Sequence, residues 1–535
     1  MTMGDADTTP PGLLSQSFNL GRHCCDRLVE QGLGERPAIH HEEGALSFRT
    51  LCDLSNRIGN ALRSLGIKPK QRFLIRLHNI PAAYATFLAG LKIGAVPILT
   101  PTLLGERELE QILALAEVSL VVTNDELAGP IRKLKKSFKR LRVLCLGNPE
   151  PDEVSFEKLT AGQSASLSPH STGIHDPAFA LFTSGTTGTP KGIAHAHRAF
   201  NIARGNPCGR WGMGLRSDDV VLSPHDIAWS YTLGCGFLYP LSEGASIVAF
   251  PGRVTPEAVV ATIARHKVTI FATVPTLYRS LLRLEPLNRS DLASLRHVLS
   301  AGEPLPQSIF YEWKQRTGVE ILDHIGQAEL QMFVANPAGE LPKPGSVGRP
   351  VPGYQVAVLD ESDRPVLGRV GQLAVRDDNL ALFYEYIKMP DKWRESHRSG
   401  WYLTGDLASV DEEGYFWYVS RADDVITTRG YLVSPGEVEE TLMEHDAVKD
   451  VAVVGAPSAD IGQVVVAYVV LREGAESGPD VGERLREYVK SRIAPFKAPK
   501  EFIFVNSLPR TPTGKVMRRT LRATAASSDN RTEQI

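Results

Sequence analysis

Cysteine is scarce in this sequence, and no pair stands at Cys-x-x-Cys spacing. The six thiols are Cys24, Cys25, Cys52, Cys145, Cys208 and Cys235. They form neither a zinc pattern nor a disulfide framework, and they read as reduced core or surface thiols of a cytoplasmic protein. Charge of one sign is missing too. A formal net charge of -2 gives no global attraction to nucleic acid or to an acidic membrane. Residues Met1 to Pro11 hold acids and prolines, but no basic stretch followed by an apolar one, so no secretory signal is read there. No apolar run is long enough to cross a bilayer. Substrates and cofactors are therefore expected to come from solution, with nucleic acid and membrane excluded as partners. A Walker A loop is also absent. Around Lys191 the spacing Gly-x-x-x-x-Gly-Lys-Ser/Thr fails, because Pro190 stands where the second glycine belongs.

What is present begins with size. A chain of 535 residues, 42% apolar and 22% charged, exceeds one hydrophobic core and divides into two or more domains. Its most informative stretch is Thr183-Ser184-Gly185-Thr186-Thr187-Gly188-Thr189-Pro190-Lys191-Gly192. The apolar run Pro177 to Phe182 before it reads as a buried strand. Glycines let backbone N–H groups turn toward an anion, hydroxyls add donors, and lysine adds a point charge. That composition suits a polyphosphate better than it suits a flexible surface loop.

Along the chain, helical and strand periodicities alternate. A helix is expected from Asn19, with Cys25, Leu28 and Val29 on one face. A hairpin follows at residues 38–40 and 45–48. Helices are expected over 49–65, 81–93, 106–116 and 256–266, with strands at 73–77, 95–99, 120–123, 143–146, 220–222, 247–250, 270–274 and 297–300. Such alternation predicts βαβ units and a largely parallel sheet flanked by helices. Adjacent His40 and His41 point apart on a strand and read as a solvated pair. Residues 132–142 hold seven lysines and arginines. Leu134, Phe138 and Leu141 interleave there at helical spacing, which favours a solvated amphipathic helix over a nucleic-acid patch. His195 and His197 have the spacing of metal ligands but no third partner nearby, and a structural role is expected.

His225, Trp229 and Tyr231 follow a strand end. They suit either an apolar pocket with polar handles or plain core packing. At the end of strand 297–300 comes Ala301-Gly302-Glu303-Pro304, where glycine allows a flat group to approach the backbone. Asp323-His324-Ile325-Gly326-Gln327-Ala328-Glu329 comes next. Beyond Gly345 strands alternate with turns, which predicts a small β-subdomain, and Thr404-Gly405-Asp406 lies within it. In the last hundred residues, Ser434-Pro435-Gly436-Glu437 reads as a capping box opening a helix over 437–444. Strands at 451–454, 464–471 and 502–505 and a helix over 482–493 complete a compact α+β domain. Pro509 to Lys515 is a rigid turn ending in a lysine, and residues after Arg522 read as a loose tail.

The loop at 183–192, the run 301–304 and the segment 323–329 stand in an order that resembles the adenylate-forming superfamily of acyl-CoA synthetases, carrier-loading adenylation domains and luciferases. The resemblance runs from about Asn19 to Arg522. It implies an α/β fold with a large N-terminal domain of flanked β-sheets and a small β-subdomain, residues 1–422. A small, mobile α+β C-terminal domain, residues 423–535, follows a hinge at Asp423. It implies that Thr183, Ser184, Gly185, Thr186, Thr187, Gly188 and Lys191 bind ATP phosphates. Ala301, Gly302, Glu303 and Pro304 would lie against the adenine, and Asp323, His324, Ile325, Gly326 and Ala328 would also belong to the ATP/AMP site. Glu329 would be the ligand of Mg²⁺, Asp406 would hold the ribose, Arg421 the ribose or phosphate, and Lys515 would be the catalytic lysine of the mobile domain. Trp229 matches a pocket residue of the acyl-CoA synthetase branches, so His225, Trp229, Tyr231, His324 and Met332 are candidate walls for the acid. Arg429, Gly430 and Tyr431 would border CoA, with Arg429 meeting a CoA phosphate.

The implied activity is ATP-dependent activation of a carboxylic acid as acyl-AMP, with release of pyrophosphate and transfer to CoA. The texture around 336–354 is similar to benzoate and 2-aminobenzoate CoA ligases, which implies an aromatic acid. Loading of a separate acyl carrier protein, a medium-chain aliphatic acid, and a nucleotide binder disabled at Ala328 are the alternatives. Oxidation after adenylation, as in luciferases, is a further one, and the protein is expected as a monomer or homodimer. The family has threonine where Ala328 stands. The loss of a neutral donor to a charged phosphate oxygen is worth ~1.5–3 kcal/mol, unless Gln327 takes its place.

Overall fold

Short βαβ crossovers build most of this protein, whose computed structural model describes residues 17–184, 190–428, 431–458, 460–475, 479–510 and 516–527. The chain divides into two compact units. The first is 1–356 with 375–402, and the second is 357–374 with 403–535.

Two large sheets make the first unit. One has eight strands, in the order Glu385–Tyr386, Pro190–Ala196, Pro177–Ser184, Val96–Leu99, Arg72–Arg76, Leu120–Asn124, Arg142–Leu146 and Val154–Ser155. From Pro177–Ser184 to Val154–Ser155 the pairs are parallel. Only the edge that carries the candidate phosphate loop is antiparallel. The other sheet has nine strands, and at its centre Ile321–Gln327, His297–Ser300, Ile270–Thr273, Val220–Leu222 and Ser246–Val248 run parallel. These strands read as near-continuous apolar runs because helices cover both faces. Pro81–Lys92 is buried nearly all round, whereas Phe48–Ser64 buries one stripe, Leu51, Ser55, Ile58 and Leu62. Ser47 caps that stripe helix, accepting from Thr50 N.

The strands of the second unit belong to two five-stranded sheets. One carries Trp401–Val410 paired antiparallel with Phe416–Arg421. In the other, Val448–Ser458 pairs with Gly462–Leu471. Alternate residues of Val448–Ser458 point to opposite faces, as a period of two demands. Val451 and Val453 pack with Val438, Leu442, Leu485 and Val489, while Ala452 and Val454 pack with Leu508, Leu521 and Ala525. Both faces of that sheet are therefore covered.

Several local expectations are corrected. The N-terminal helix is two short ones, Leu20–Cys24 and Asp26–Glu30, because Cys25 leaves helical geometry (φ -138°, ψ -72°). The basic run forms a helix only over Gly129–Leu134. Beyond it the chain tightens into i→i−3 bonds, which bury Leu134 and Leu141 while Arg132 and Lys135 pair with Glu153 and Asp152. Ser434 precedes Pro435–Met443 without a side-chain cap. Its hydroxyl donates to Val419 O instead (2.7 Å), and Glu437 takes Lys497, so the capping box does not form. The tail is helical past Arg522, over Arg518–Ser527, since Leu521 and Ala525 one turn apart both find the sheet. Among the described residues, no helix is long and apolar enough to cross a membrane.

Candidate active site

Pro177–Ser184 and Pro190–Ala196 are antiparallel neighbours, in register at Thr183 with Lys191 and at Ser184 with Pro190. This places Thr183 and Lys191 side by side. Gly185, Thr186, Thr187 and Gly188 lie outside the described residues, as do Arg429, Gly430 and Lys515.

Lys191 reaches Glu329. Its Nζ lies 2.6 Å from Glu329 Oε1, and the Tyr386 hydroxyl donates to the same oxygen at 3.0 Å. The ammonium also sits 4.8 Å from the centre of the Tyr386 ring, which adds a cation–π attraction. Burial would raise the Glu329 carboxyl, but Lys191 and the Tyr386 hydroxyl hold it below its ordinary value. The turn that carries Glu329 is fixed on several sides. Phe383 N donates to Glu329 O at 2.8 Å, His195 Nε2 lies 2.8 Å from Ala328 O, and the Tyr402 hydroxyl donates to Gln327 Oε1 at 3.2 Å. His195 is thus a buried brace, and burial lowers its pKa to about 4. His197 braces as well, its Nδ1 accepting from Leu20 N at 3.1 Å. Both histidines are structural, as expected. One ionised carboxylate oxygen site of this kind suits Mg²⁺, which keeps most of its ligands as water and substrate phosphate.

Strand Ile321–Gln327 leads into that turn and carries Asp323, His324, Ile325 and Gly326. A Cβ on Gly326 would lie 2.7 Å from Gln331 O, so the tight hairpin requires glycine there. Asp323 is in register with Ser300, at the end of the neighbouring strand. Burial pushes its carboxyl up to about 8, and its Oδ1 has no hydrogen-bond partner. Ala301 and Gly302 follow Ser300, and Gly302 has φ +88°. A Cβ there would lie 3.1 Å from the Trp229 ring. The Glu303 side chain turns away to the helix Pro275–Leu282, accepting from Thr276 Oγ1 at 2.7 Å and Thr276 N at 3.3 Å. Its carboxylate is a cap on that helix.

His225, Trp229, Tyr231 and His324 form one continuous row. The ring centres are 5.3 Å apart for His225 and Trp229, 5.2 Å for Trp229 and Tyr231, and 5.2 Å for Tyr231 and His324. Burial lowers both histidines to about 4, so they are neutral. His225 Nε2 is anchored on Thr273 Oγ1 at 2.8 Å. At the other end, Tyr231 Oη and His324 Nδ1 are buried with no protein partner. Met332 is the remaining candidate wall. It is on the next strand, and a Cβ on Gly212 would meet its sulfur at 2.6 Å.

Sequence reasoning missed what holds the row. Asn79, just before the helix Pro81–Lys92, donates to His225 O at 2.7 Å and accepts from Ile227 N at 2.9 Å. Asp226 accepts from Thr102 N, Thr102 Oγ1 and Ala228 N. Nothing local in the sequence marks Asn79, because both its partners are more than a hundred residues away.

In the second unit, Asp406 and Arg421 face each other across paired strands. Arg421 Nη1 lies 3.1 Å from Asp406 Oδ1 and donates to Thr404 O. Asp423 follows in the turn, its carbonyl accepting from Arg522, while Asp424 pairs with Arg522 and Arg518. The exposed Tyr431 ring stacks on Phe496, with centres 4.7 Å apart.

Known proteins share this architecture. The family described as AMP-binding enzyme matches residues 27–385, and the AMP-binding enzyme C-terminal domain matches 437–515. The benzoate–CoA ligase of Thauera aromatica is 34% identical, over 98% of this chain and 99% of its own. An uncharacterised acyl–CoA ligase of Bacillus subtilis, YtcI, is 35% identical over 89% of this chain and 90% of its own. Among solved structures, the anthranilate CoA ligase AuaEII in complex with anthranoyl-AMP superposes with a TM-score of 0.90 at 30% identity, covering 98% of this chain and all of that one. With a lysine–glutamate pair at the base of its glycine-rich strand pair and family matches over both parts of the chain, the protein belongs to the AMP-binding enzymes, the adenylate-forming superfamily of acyl-CoA synthetases.

Proposed function

We propose that this protein is an ATP-dependent acid:CoA ligase whose acid is aromatic, of the benzoate or aminobenzoate class. The observation that carries the reading is one strand with two roles. Ile321–Gln327 holds His324 in the aromatic row and leads within two residues to the Glu329–Lys191 pair. An aryl group against the row would present its carboxylate toward the end that handles phosphate. The named activities of the benzoate and anthranilate ligases that resemble this chain agree with that assignment.

The chemical problem is electrostatic. A carboxylate must attack the α-phosphorus of ATP, so two anions meet. Displacement of pyrophosphate leaves a mixed anhydride whose leaving group is AMP rather than oxide, and the CoA thiol then takes the acyl group. Lys191 and the backbone around Thr183 would offset the growing phosphate charge. Glu329 would hold Mg²⁺, which supplies further charge neutralisation at the phosphates when bound. Asp406 would accept the ribose hydroxyls beside Arg421. Lys515 as catalytic lysine, Arg429 and Gly430 beside Tyr431 at CoA, and Asp423 as hinge complete the proposal on the strength of the family resemblance.

Pyrophosphate release with ATP and a panel of acids, aromatic against aliphatic, tests the first half. Thioester formation with CoA against a separate acyl carrier protein tests the second. Release with aliphatic acids alone would overturn the aryl assignment, and loading of the carrier alone would overturn the CoA assignment.

A further inference from the structure

Away from the aromatic row, the ends of four helices in the first unit meet around a buried polar cluster. Cys25, fully buried, stands at the break between Leu20–Cys24 and Asp26–Glu30. Cys52 lies one turn into Phe48–Ser64 and is 8% exposed. Lys92, the last residue of Pro81–Lys92, is 0% exposed. An ammonium this deep must be paired. Lys92 Nζ lies 2.7 Å from Asp26 Oδ2, donates to Ser55 Oγ at 2.7 Å and Asn56 Oδ1 at 3.0 Å, and stands 3.7 Å from Cys52 Sγ. The Cys25 sulfur, the Cys52 sulfur and an Asp26 carboxylate oxygen all lie within 4.8 Å of one another.

Two sulfurs and a carboxylate at that separation are three of the four ligands of a tetrahedral metal site. The lysine argues against such an occupant. It already holds the carboxylate and faces one sulfur, so a divalent cation would meet a fixed positive charge. A cation beside sulfur has another consequence, since it favours the thiolate, which is the reactive form. All six cysteines are described, which allows a comparison. Burial pushes Cys24 up to about 12 and Cys145 and Cys208 to about 11, and it raises Cys235 well above its ordinary value. Cys52 alone is held below its usual value, first by a hydrogen bond with the Cys25 thiol and then by Lys92, against the opposing effects of burial and the Asp26 carboxylate, while Cys25 is raised in exchange. Of the two sulfurs, Cys52 is the more readily ionised and Cys25 is the one that holds its proton.

We propose that Cys25 and Cys52 form a reversible oxidation site, closed as an intramolecular disulfide by a hydroperoxide. The Cys52 thiolate attacks one peroxide oxygen. The S–O bond forms, the O–O bond breaks, and the departing hydroxide becomes water by taking up from solvent the proton that Cys52 released on ionising. The Cys25 sulfur then attacks the Cys52 sulfur. The S–S bond forms, the S–O bond breaks, and the second hydroxide leaves as water with the Cys25 proton. Two thiols are oxidised and one peroxide is reduced to two waters. The sulfurs must close to ~2 Å, and Cys25 has the freedom to do so because it stands between helices rather than inside one. Cys24 is no competitor, since its sulfur points to Leu238 O at 3.8 Å. The product would tie the N-terminal helices to Phe48–Ser64.

The test is a peptide map of the full chain. Folded protein is treated with hydrogen peroxide, quenched with N-ethylmaleimide, and digested with trypsin without reductant. Trypsin releases residues 23–27 and 50–57 as separate peptides. The expected product is these two joined, lighter by two hydrogens and separated by dithiothreitol, with fragmentation placing the bond at Cys25. The Cys24→Ser variant keeps the joined species. Four results would each overturn the proposal: both peptides fully maleimide-labelled after peroxide, a bond through Cys24, a bond between two chains, or Cys52 accumulating as sulfinic acid with Cys25 still free. No result depends on a variant that removes a buried thiol of the pair.

Discussion

Lys191 Nζ lies 2.6 Å from Glu329 Oε1, although 138 residues separate the two in sequence. The pair joins the start of Pro190–Ala196, next to the edge strand of one sheet, to the hairpin turn between Ile321–Gln327 and Gln331–Ala335 of the other. A charged pair of this depth, with side chains 22% and 8% exposed, is stable only because Tyr386 shares the carboxylate and Phe383 fixes its backbone. Converting Glu329→Gln removes the charge and keeps the shape. The expected result is a fall in acyl-adenylate formation of ~10²-fold or more, read as pyrophosphate release, with the fold retained by circular dichroism.

The same pair sets an acid limit on stability. Glu329 is held below its ordinary pKa, so the folded state binds its proton less readily than the unfolded chain does. Its stabilisation is complete above the unfolded value of ~4.3 and is lost as pH falls through the lower folded value. Melting temperature measured from pH 6 downward should therefore drop more steeply in the native protein than in Glu329→Gln. Equal slopes would mean that the pair adds nothing to stability.

The aromatic row ends in two unpaired polar atoms, Tyr231 Oη and His324 Nδ1. A buried donor or acceptor left alone costs ~1–3 kcal/mol. A substrate that supplies a partner recovers that cost, so hydroxy- or amino-substituted aryl acids should exceed the unsubstituted acid in kcat/KM by ~10–100-fold. Tyr231→Phe should shrink that ratio while leaving the unsubstituted acid nearly unchanged. A ratio that survives the substitution would remove Tyr231 from substituent recognition.

How much of this could be read beforehand follows from the range of each interaction. The strand before Thr183, the helix 106–116 and the aromatic cluster at 225–231 were legible because periodicity and composition act within a dozen residues. The joining of His324 to Tyr231 and of Lys191 to Glu329 was suggested only by resemblance, since sheet order decides which strand ends become neighbours. Where a local signal met a tertiary competitor, the competitor won. Ser434 bonds Val419 O rather than its own helix, and Glu303 caps Pro275–Leu282. Leu521 and Ala525 made the last helix legible in principle, at the spacing of one apolar face.

Asn79 offers a test of positioning apart from chemistry. Its amide spans His225 O and Ile227 N and touches none of the groups assigned to ATP. Asn79→Ala leaves a buried carbonyl and a buried N–H without partners, so the loop under the aromatic row should loosen. KM for the acid should rise ~10-fold or more, as expected for ~1–3 kcal/mol of lost hydrogen bonding, while KM for ATP stays within twofold, a margin of ~0.4 kcal/mol. Asn79→Asp restores one acceptor but no donor, and it should recover less than Asn79→Gln if the longer amide can still reach. Parallel rises in both KM values would instead assign Asn79 to the general stability of the first unit.

The buried Asp323 carries the opposite pH signature to Glu329. Burial pushes its carboxyl up to about 8, so between the unfolded value of ~3.9 and that pH the folded state holds a proton the unfolded chain has released. Its linkage contribution is fully present below the unfolded value and is lost as pH rises toward 8. Asp323→Asn keeps the neutral shape at every pH. Over pH 5 to 8 the melting temperature of the native protein should decline relative to that variant. The unpartnered Oδ1 adds a second consequence, because a ligand donor at that oxygen would favour the charged form. Saturating ATP should therefore flatten the decline if the adenine amino group meets Asp323. A slope that ATP leaves unchanged would place the nucleotide elsewhere, and one that matches Asp323→Asn without ligand would show the carboxyl to be ionised throughout.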